Sequence, residues 1–122
     1  MTGEGVPRTP AGRAPEDRVP QVVQYGLGEA WVIAAGGEFD LSTSCALAEA
    51  LEVAAQKHQR VVLDAAGVTF ADSMFLTLLL RIHSQTELRL AAPSRQVARI
   101  LELTGADTVL TVRATVAEAA AD

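Results

Sequence analysis

The chain has 122 residues, enough for one domain built around a single core. Its hydrophobic content of 49% supports a well-buried interior and excludes wholesale disorder, while an aromatic content of 4% leaves too few rings to stack nucleobases. A net charge of −5 argues against a nucleic-acid backbone as partner, and the single cysteine, Cys45, excludes an intramolecular disulfide and fits a reducing compartment.

Residues 1–20 stand apart from the rest. They carry Pro7, Pro10, Pro15 and Pro20, with Arg8, Arg13 and Arg18 balanced against Glu4, Glu16 and Asp17. Few large apolar residues are present, so this stretch reads as a flexible leader rather than as part of the fold. It lacks the apolar core of a secretory signal, and no run in the chain is long and apolar enough to span a bilayer. The expected location is therefore the cytoplasm, with no direct membrane insertion.

Residues 21–122 read as the folded domain. Val22, Val23 and Tyr25 lead to a glycine turn at Gly26-Leu27-Gly28, and Ala30 to Ala35 form a second apolar run, so a hairpin is expected. Gly36-Gly37 should end its second strand. After Glu38-Phe39-Asp40, the run Leu41-Ser42-Thr43-Ser44 offers several helix caps. From Cys45 to Lys57, Leu47, Leu51 and Ala54 recur at helical spacing. Cys45, in the first turn, is expected to be buried as a small hydrophobe.

Arg60 to Leu63 is a continuous apolar strand. Ala65-Ala66-Gly67 reads as a turn, with Val68-Thr69-Phe70 extending the sheet edge. The second helix should run from Ser73 to Ser84. Leu76, Leu79, Leu80 and His83 form its inner stripe, widened by Phe75, Leu78 and Ile82, with Met74, Thr77 and Arg81 outside. Phe75 is compatible with either the core or an exposed contact, and His83 with a satisfied, half-buried histidine.

Glu87 to Ala91 alternates as a strand. Ser94 caps a third helix whose inner stripe is Val97, Ile100, Leu101 and Thr104, and Gly105 stops it. Arg95, Arg99 and Glu102 fall on its solvated face. A last strand is expected over Thr108 to Val112, and a terminal helix from Thr115 to Ala121. The alternation of strands and helices predicts a single α/β domain. Its central sheet is mixed, opened by an antiparallel pair, with about four helices packed mostly on one side.

The most informative point is Asp72-Ser73, where a strand ends and a very apolar helix begins. An oxygen-bearing side chain there can cap the orphan N–H groups of the first turn. The same position, at the positive end of the helix dipole, suits a serine that accepts a phosphate. Sequence alone leaves both roles open for Ser73. Asp40 and Asp72 flank it as acids, but nothing supplies the cleft or the partner groups that acid–base catalysis needs. His58 and His83 lack ligand spacing, and there is no glycine-rich phosphate loop, so neither a metal nor a nucleotide cofactor is expected.

These segments, taken in order, resemble a STAS domain, the module shared by sulfate transporters and anti-sigma factor antagonists. The resemblance rests on Gly37-Glu38-Phe39-Asp40, Val61-Val62-Leu63-Asp64, Gly67 to Ser73, Leu88-Arg89-Leu90, and Ile100 to Gly105. It implies a non-enzymatic regulator of transcription that binds an anti-sigma factor, itself a serine kinase. That kinase phosphorylates Ser73 and ends the binding, and a phosphatase restores it. The implied contact patch is Glu38, Asp40, Ser42, Asp72, Ser73, Met74 and Thr77. Where the family usually has a small residue and glycine after the serine, this chain has Met74-Phe75. STAS modules also serve as subunits of membrane transport complexes, so contact with an ABC-type ATPase is the alternative.

Overall fold

The computed structural model describes residues 20–40 and 44–121. The leader expected over residues 1–20 therefore lies outside the described residues, Pro20 apart. Among the described residues two strands and then alternating helices and strands follow in order: β1 (Gln21–Leu27), β2 (Ala30–Phe39), α1 (Cys45–Lys57), β3 (Arg60–Ala71), α2 (Ser73–His83), β4 (Glu87–Ala91), α3 (Arg95–Thr104), β5 (Thr111–Arg113) and α4 (Val116–Ala121). The strands form one sheet in the order β1-β2-β3-β4-β5. β1 runs antiparallel to β2, and the remaining pairs are parallel. The element order matches the sequence expectation; several boundaries do not.

The hairpin turn falls at Gly28-Glu29, because Leu27 pairs with Ala30 and Gly26 pairs with Trp31 inside the ladder. β2 passes through Gly36-Gly37 to Phe39, and β3 passes through Ala65-Ala66-Gly67 to Ala71. Both corrections have one cause. The two chains meet at Gly36↔Gly67, with register irregularities on either side. A Cβ on Gly67 would stand 3.2 Å from the Gly36 Cα and 3.4 Å from the Ala35 carbonyl oxygen. Glycine here permits close backbone approach at a bulge, so it continues the sheet where composition suggested a turn.

Strand alternation divides the interior between two faces. Ile33, Val61, Leu63, Leu88 and Leu90 join the buried residues of α1, α2 and α3 in one large cluster. Val32, Val62 and Ala91 point the other way and pack with Ala119 of α4, flanked by Val116 and Ala120. Three of the four helices thus share a face. In α2 the buried set is Phe75, Leu76, Leu78, Leu79 and Ile82. Leu80, expected on the inner stripe, is 37% exposed, because Leu76, Leu79 and Ile82 already fill the face that meets the sheet. His83 is half-buried, and its buried Nδ1 has no partner among the described residues, not satisfied as expected. Cys45 is exposed, since α1 buries the side that carries Leu47, Leu51 and Ala54.

In α3, Val97 and Leu101 are buried, but Thr104 is exposed at the last turn before Gly105, whose φ of 79° closes the helix. A 3-10 turn at Ala106–Thr108 then takes the first residue of the expected last strand, and β5 starts only at Thr111 and ends at Arg113, one residue beyond the expected Val112.

The α4 face is finished by charge. Arg60 donates from Nη1 to the Ala120 carbonyl at 3.0 Å, and Arg89 donates from Nη1 to the Ala119 carbonyl at 3.2 Å. Two cations thus meet the last-turn carbonyls at the negative end of a short helix. Arg89, the charged residue between Leu88 and Leu90 in the alternating strand, is buried, because α4 covers that face of the sheet. Glu87 pairs with both arginines. Burial acts to raise the Glu87 carboxyl pKa, but the hydrogen bond and charge of Arg89, with the charge of Arg60, outweigh it and hold the group below its ordinary value. At the same end of the sheet, His58 stacks on Trp31 with ring centroids 4.8 Å apart. No helix among the described residues is long and apolar enough to cross a membrane.

Candidate functional site

The parallel register of β2 and β3 builds the site. Phe39 pairs with Ala71, so the next residues, Asp40 and Asp72, leave the sheet side by side at one edge. Phe39 is fully buried, and its ring lies 6.0 Å from that of Phe75, tilted by 41°. Phe75 itself is 2% exposed, which places it in the core. This ring pair pins the first turn of α2 to the end of β2 and thereby positions Ser73. The pair went unnoticed in the sequence because its members lie far apart in the chain; the signal was an aromatic residue just before Asp40 and another just after Ser73.

Asp72 is the N-cap of α2. Its backbone is extended, and its Oδ1 accepts hydrogen bonds from the N–H of Met74 at 3.0 Å and of Phe75 at 3.4 Å. The cap role is thus taken by the aspartate, and Ser73 occupies the first helical position with an exposed side chain. Its hydroxyl makes no hydrogen bond among the described residues. Its carbonyl accepts from the Thr77 hydroxyl at 2.9 Å, which ties that side chain back onto the helix. Met74 is 44% exposed beside it, and Thr77 is exposed one turn on. Glu38 and Asp40 are half-buried and engaged with other residues of the chain; the Asp40 carbonyl accepts from the N–H of Ser44, the N-cap of α1. Ser42 lies outside the described residues.

The register therefore brings Glu38, Asp40, Asp72, Ser73, Met74 and Thr77 to one edge of the sheet. It adds Phe70, paired with Glu38 and 41% exposed, which sequence reasoning assigned only to a strand. The arrangement offers a free hydroxyl at a helix start, bordered by acids and by two apolar side chains. A phosphate there would meet the favourable helix dipole and the unfavourable Asp72 carboxylate together.

Comparisons with known proteins agree with this architecture. The profile of the family described as "Mlab, STAS domain" matches residues 25–112. An anti-sigma factor antagonist from Mycobacterium paratuberculosis superposes with a TM-score of 0.76 at 25% identity, covering 87% of this chain and 93% of that one. The anti-sigma factor antagonist SpoIIAA in its unphosphorylated form gives 0.65 at 21% identity, covering 82% and 91%. The Bacillus cell fate determinant SpoIIAA in its phosphorylated form gives 0.61 at 20% identity, covering 82% and 95%. Comparison with the curated proteins returned no match. With the five-stranded mixed sheet, the order of elements and the profile match over most of its length, the chain belongs to the STAS domain family.

Proposed function

We propose that the chain is an anti-sigma factor antagonist, a cytoplasmic, non-enzymatic regulator of transcription. In this reading residues 21–122 form the working domain behind a leader of residues 1–20. Glu38, Asp40, Ser42, Asp72, Ser73, Met74 and Thr77 form the surface that binds an anti-sigma factor with serine kinase activity. Phosphorylation of Ser73 ends the contact and a phosphatase restores it. One observation carries the reading: Asp72 caps α2, so the exposed Ser73 hydroxyl is left without a structural task. A structural neighbour in this family has been observed in both unphosphorylated and phosphorylated forms, which supports a phosphate-controlled surface. A phosphate carries about −1.5 to −2 charges at neutral pH, and placed between Met74 and Asp72 it would oppose any contact that desolvates Met74.

The test is to isolate the chain from its native cells and map phosphate by mass spectrometry, then measure binding of the captured kinase to the wild type and to Ser73→Asp. Phosphate on Ser73 and loss of binding by Ser73→Asp are expected. Binding unchanged by Ser73→Asp overturns the reading. The exposed Phe70 and Met74 favour one alternative, a lasting apolar contact with an ABC-type ATPase of a membrane transport complex. Recovery of such an ATPase, with binding lost in Met74→Ser but kept in Ser73→Asp, would select it.

A further inference from the structure

β3 outruns its neighbour. Its pairing with β4 ends at Asp64↔Ala91, whereas its pairing with β2 continues to Phe39↔Ala71. Over residues 66–71 the side of β3 turned away from β2 therefore has no strand against it among the described residues. In a parallel ladder alternate residues direct their N–H and C=O groups to opposite sides, so part of this backbone faces outward with no described strand to pair it, although the Ala66 N–H is taken by the Asp64 carboxylate at 3.1 Å. The start of the open stretch is closed by the Ser94 N–H donating to the Ala65 carbonyl at 3.3 Å. Beyond that bond lies a groove of about 840 Å³ between Val68 and Thr69 on one side and α3 on the other.

The α3 wall carries Arg95 and Arg99, with Ser94 before them and Glu102 after. Of the six described arginines, Arg60, Arg81, Arg89 and Arg113 all hold hydrogen bonds within the chain. Arg95 and Arg99 are the two that make no hydrogen bond or ion pair among the described residues. They are adjacent on one helix face, and even Glu102, one turn from Arg99, does not engage them. In a chain of net charge −5, this is a local cationic strip beside an open strand edge.

The spacing suits one kind of occupant. Four residues of helix advance about 6 Å, and alternate residues of an extended strand stand about 6.6 Å apart on one face. Two carboxylates at alternate positions of a strand laid along residues 66–71 would thus reach both guanidinium groups. The strand's backbone would meet the outward N–H and C=O groups of β3. Glu102 limits the acids to two, since the position opposite it disfavours a third. We propose that this groove binds an extended acidic segment of a partner protein, added as a strand to the free edge of β3 and held by Arg95 and Arg99. The lining of the groove shares no residue with the Ser73 patch, which the added strand would meet only along the backbone at Phe70.

The experiment titrates the full chain with a fluorescent hexapeptide of valine that carries aspartate at two alternate positions, followed by anisotropy and by amide NMR. A second peptide carries asparagine in place of aspartate. A third is methylated at alternate backbone nitrogens, and inorganic phosphate serves as a small-anion probe. The expected result is binding of the aspartate peptide with shifts at the amides of Val68 and Thr69. Arg95→Gln and Arg99→Gln should each weaken it about tenfold, as loss of a charge-assisted hydrogen bond does. Both variants alter exposed residues, so their folding should be unaffected. Failure of the aspartate peptide to bind overturns the proposal, as does equal binding by the asparagine or methylated peptide. Phosphate binding as tightly as the peptide also overturns it, in favour of a small-anion site.

Discussion

The division of labour between Asp72 and Ser73 can be tested by stability alone. Asp72 Oδ1 accepts a hydrogen bond of 3.0 Å from the Met74 N–H and a weaker one of 3.4 Å from the Phe75 N–H. Asp72→Ala removes this cap, which costs about 1 kcal/mol in typical helices. It also removes a negative charge from the helix start, worth a further ~0.3–1 kcal/mol. The total is about 1.5 kcal/mol. A domain of this size loses roughly 5 °C in Tm per kcal/mol, so a drop of about 7 °C is expected. Asp72→Asn keeps an acceptor at the cap and should lose only the charge contribution. Ser73→Ala removes an exposed hydroxyl that bonds nothing among the described residues, so its Tm should stay within ~2 °C of wild type, as exposed substitutions do. Thermal unfolding by circular dichroism at neutral pH and low salt separates these outcomes. A Ser73→Ala variant as unstable as Asp72→Ala would refute the assignment and return Ser73 to the role of a cap.

Three more predictions follow from the packing. Phe75→Ala should cost about 3–5 kcal/mol, since Phe75 is 2% exposed, whereas Met74→Ala should change urea-measured stability by less than ~1 kcal/mol. Equal effects would contradict the burial pattern of α2. Gly67→Ala should destabilise by about 1 kcal/mol, because its Cβ would stand 3.2 Å from the backbone of the adjacent strand, which must shift by a few tenths of an ångström to admit it. A neutral Gly67→Ala in denaturant titration would show that β2 and β3 part more easily than their register implies. Glu87 has a lowered pKa, so its contribution is present above the unfolded-state value and is lost as pH falls through the folded one. The stability gap between wild type and Glu87→Gln should therefore be open at pH 7 and shrink on acidification below about pH 5. A gap independent of pH would remove the Arg60–Glu87–Arg89 pairing from the stability of the α4 face.

Local signals in the chain were sufficient for a good deal. The period of Leu47, Leu51 and Ala54 placed α1 at the bounds observed, because a helix that buries one face must repeat at that spacing. Ser94 and Gly105 marked the ends of α3, since capping and left-handed closure depend on single residues and their immediate neighbours. Asp72-Ser73 stood out as the start of α2 for the same reason. The alternation of such elements determined an α/β sheet before any contact between them was known.

Tertiary structure decided what depends on two distant segments meeting. Gly36 and Gly67 read as breakers in isolation, and only their opposition across β2 and β3 makes them continuous strand. The alternation around Arg89 did not say what would meet it, and only the return of α4 over that face buries it against a helix terminus. The choice between Asp72 and Ser73 as cap required the actual direction of each side chain, which adjacent oxygen-bearing residues leave undetermined. Phe75 was assigned to the core by Phe39, a residue from another strand. Each of these outcomes is set by burial and pairing across long sequence separations, where no local pattern carries the information. That is why the composition of the chain could point to Ser73, while only the fold could leave its hydroxyl free.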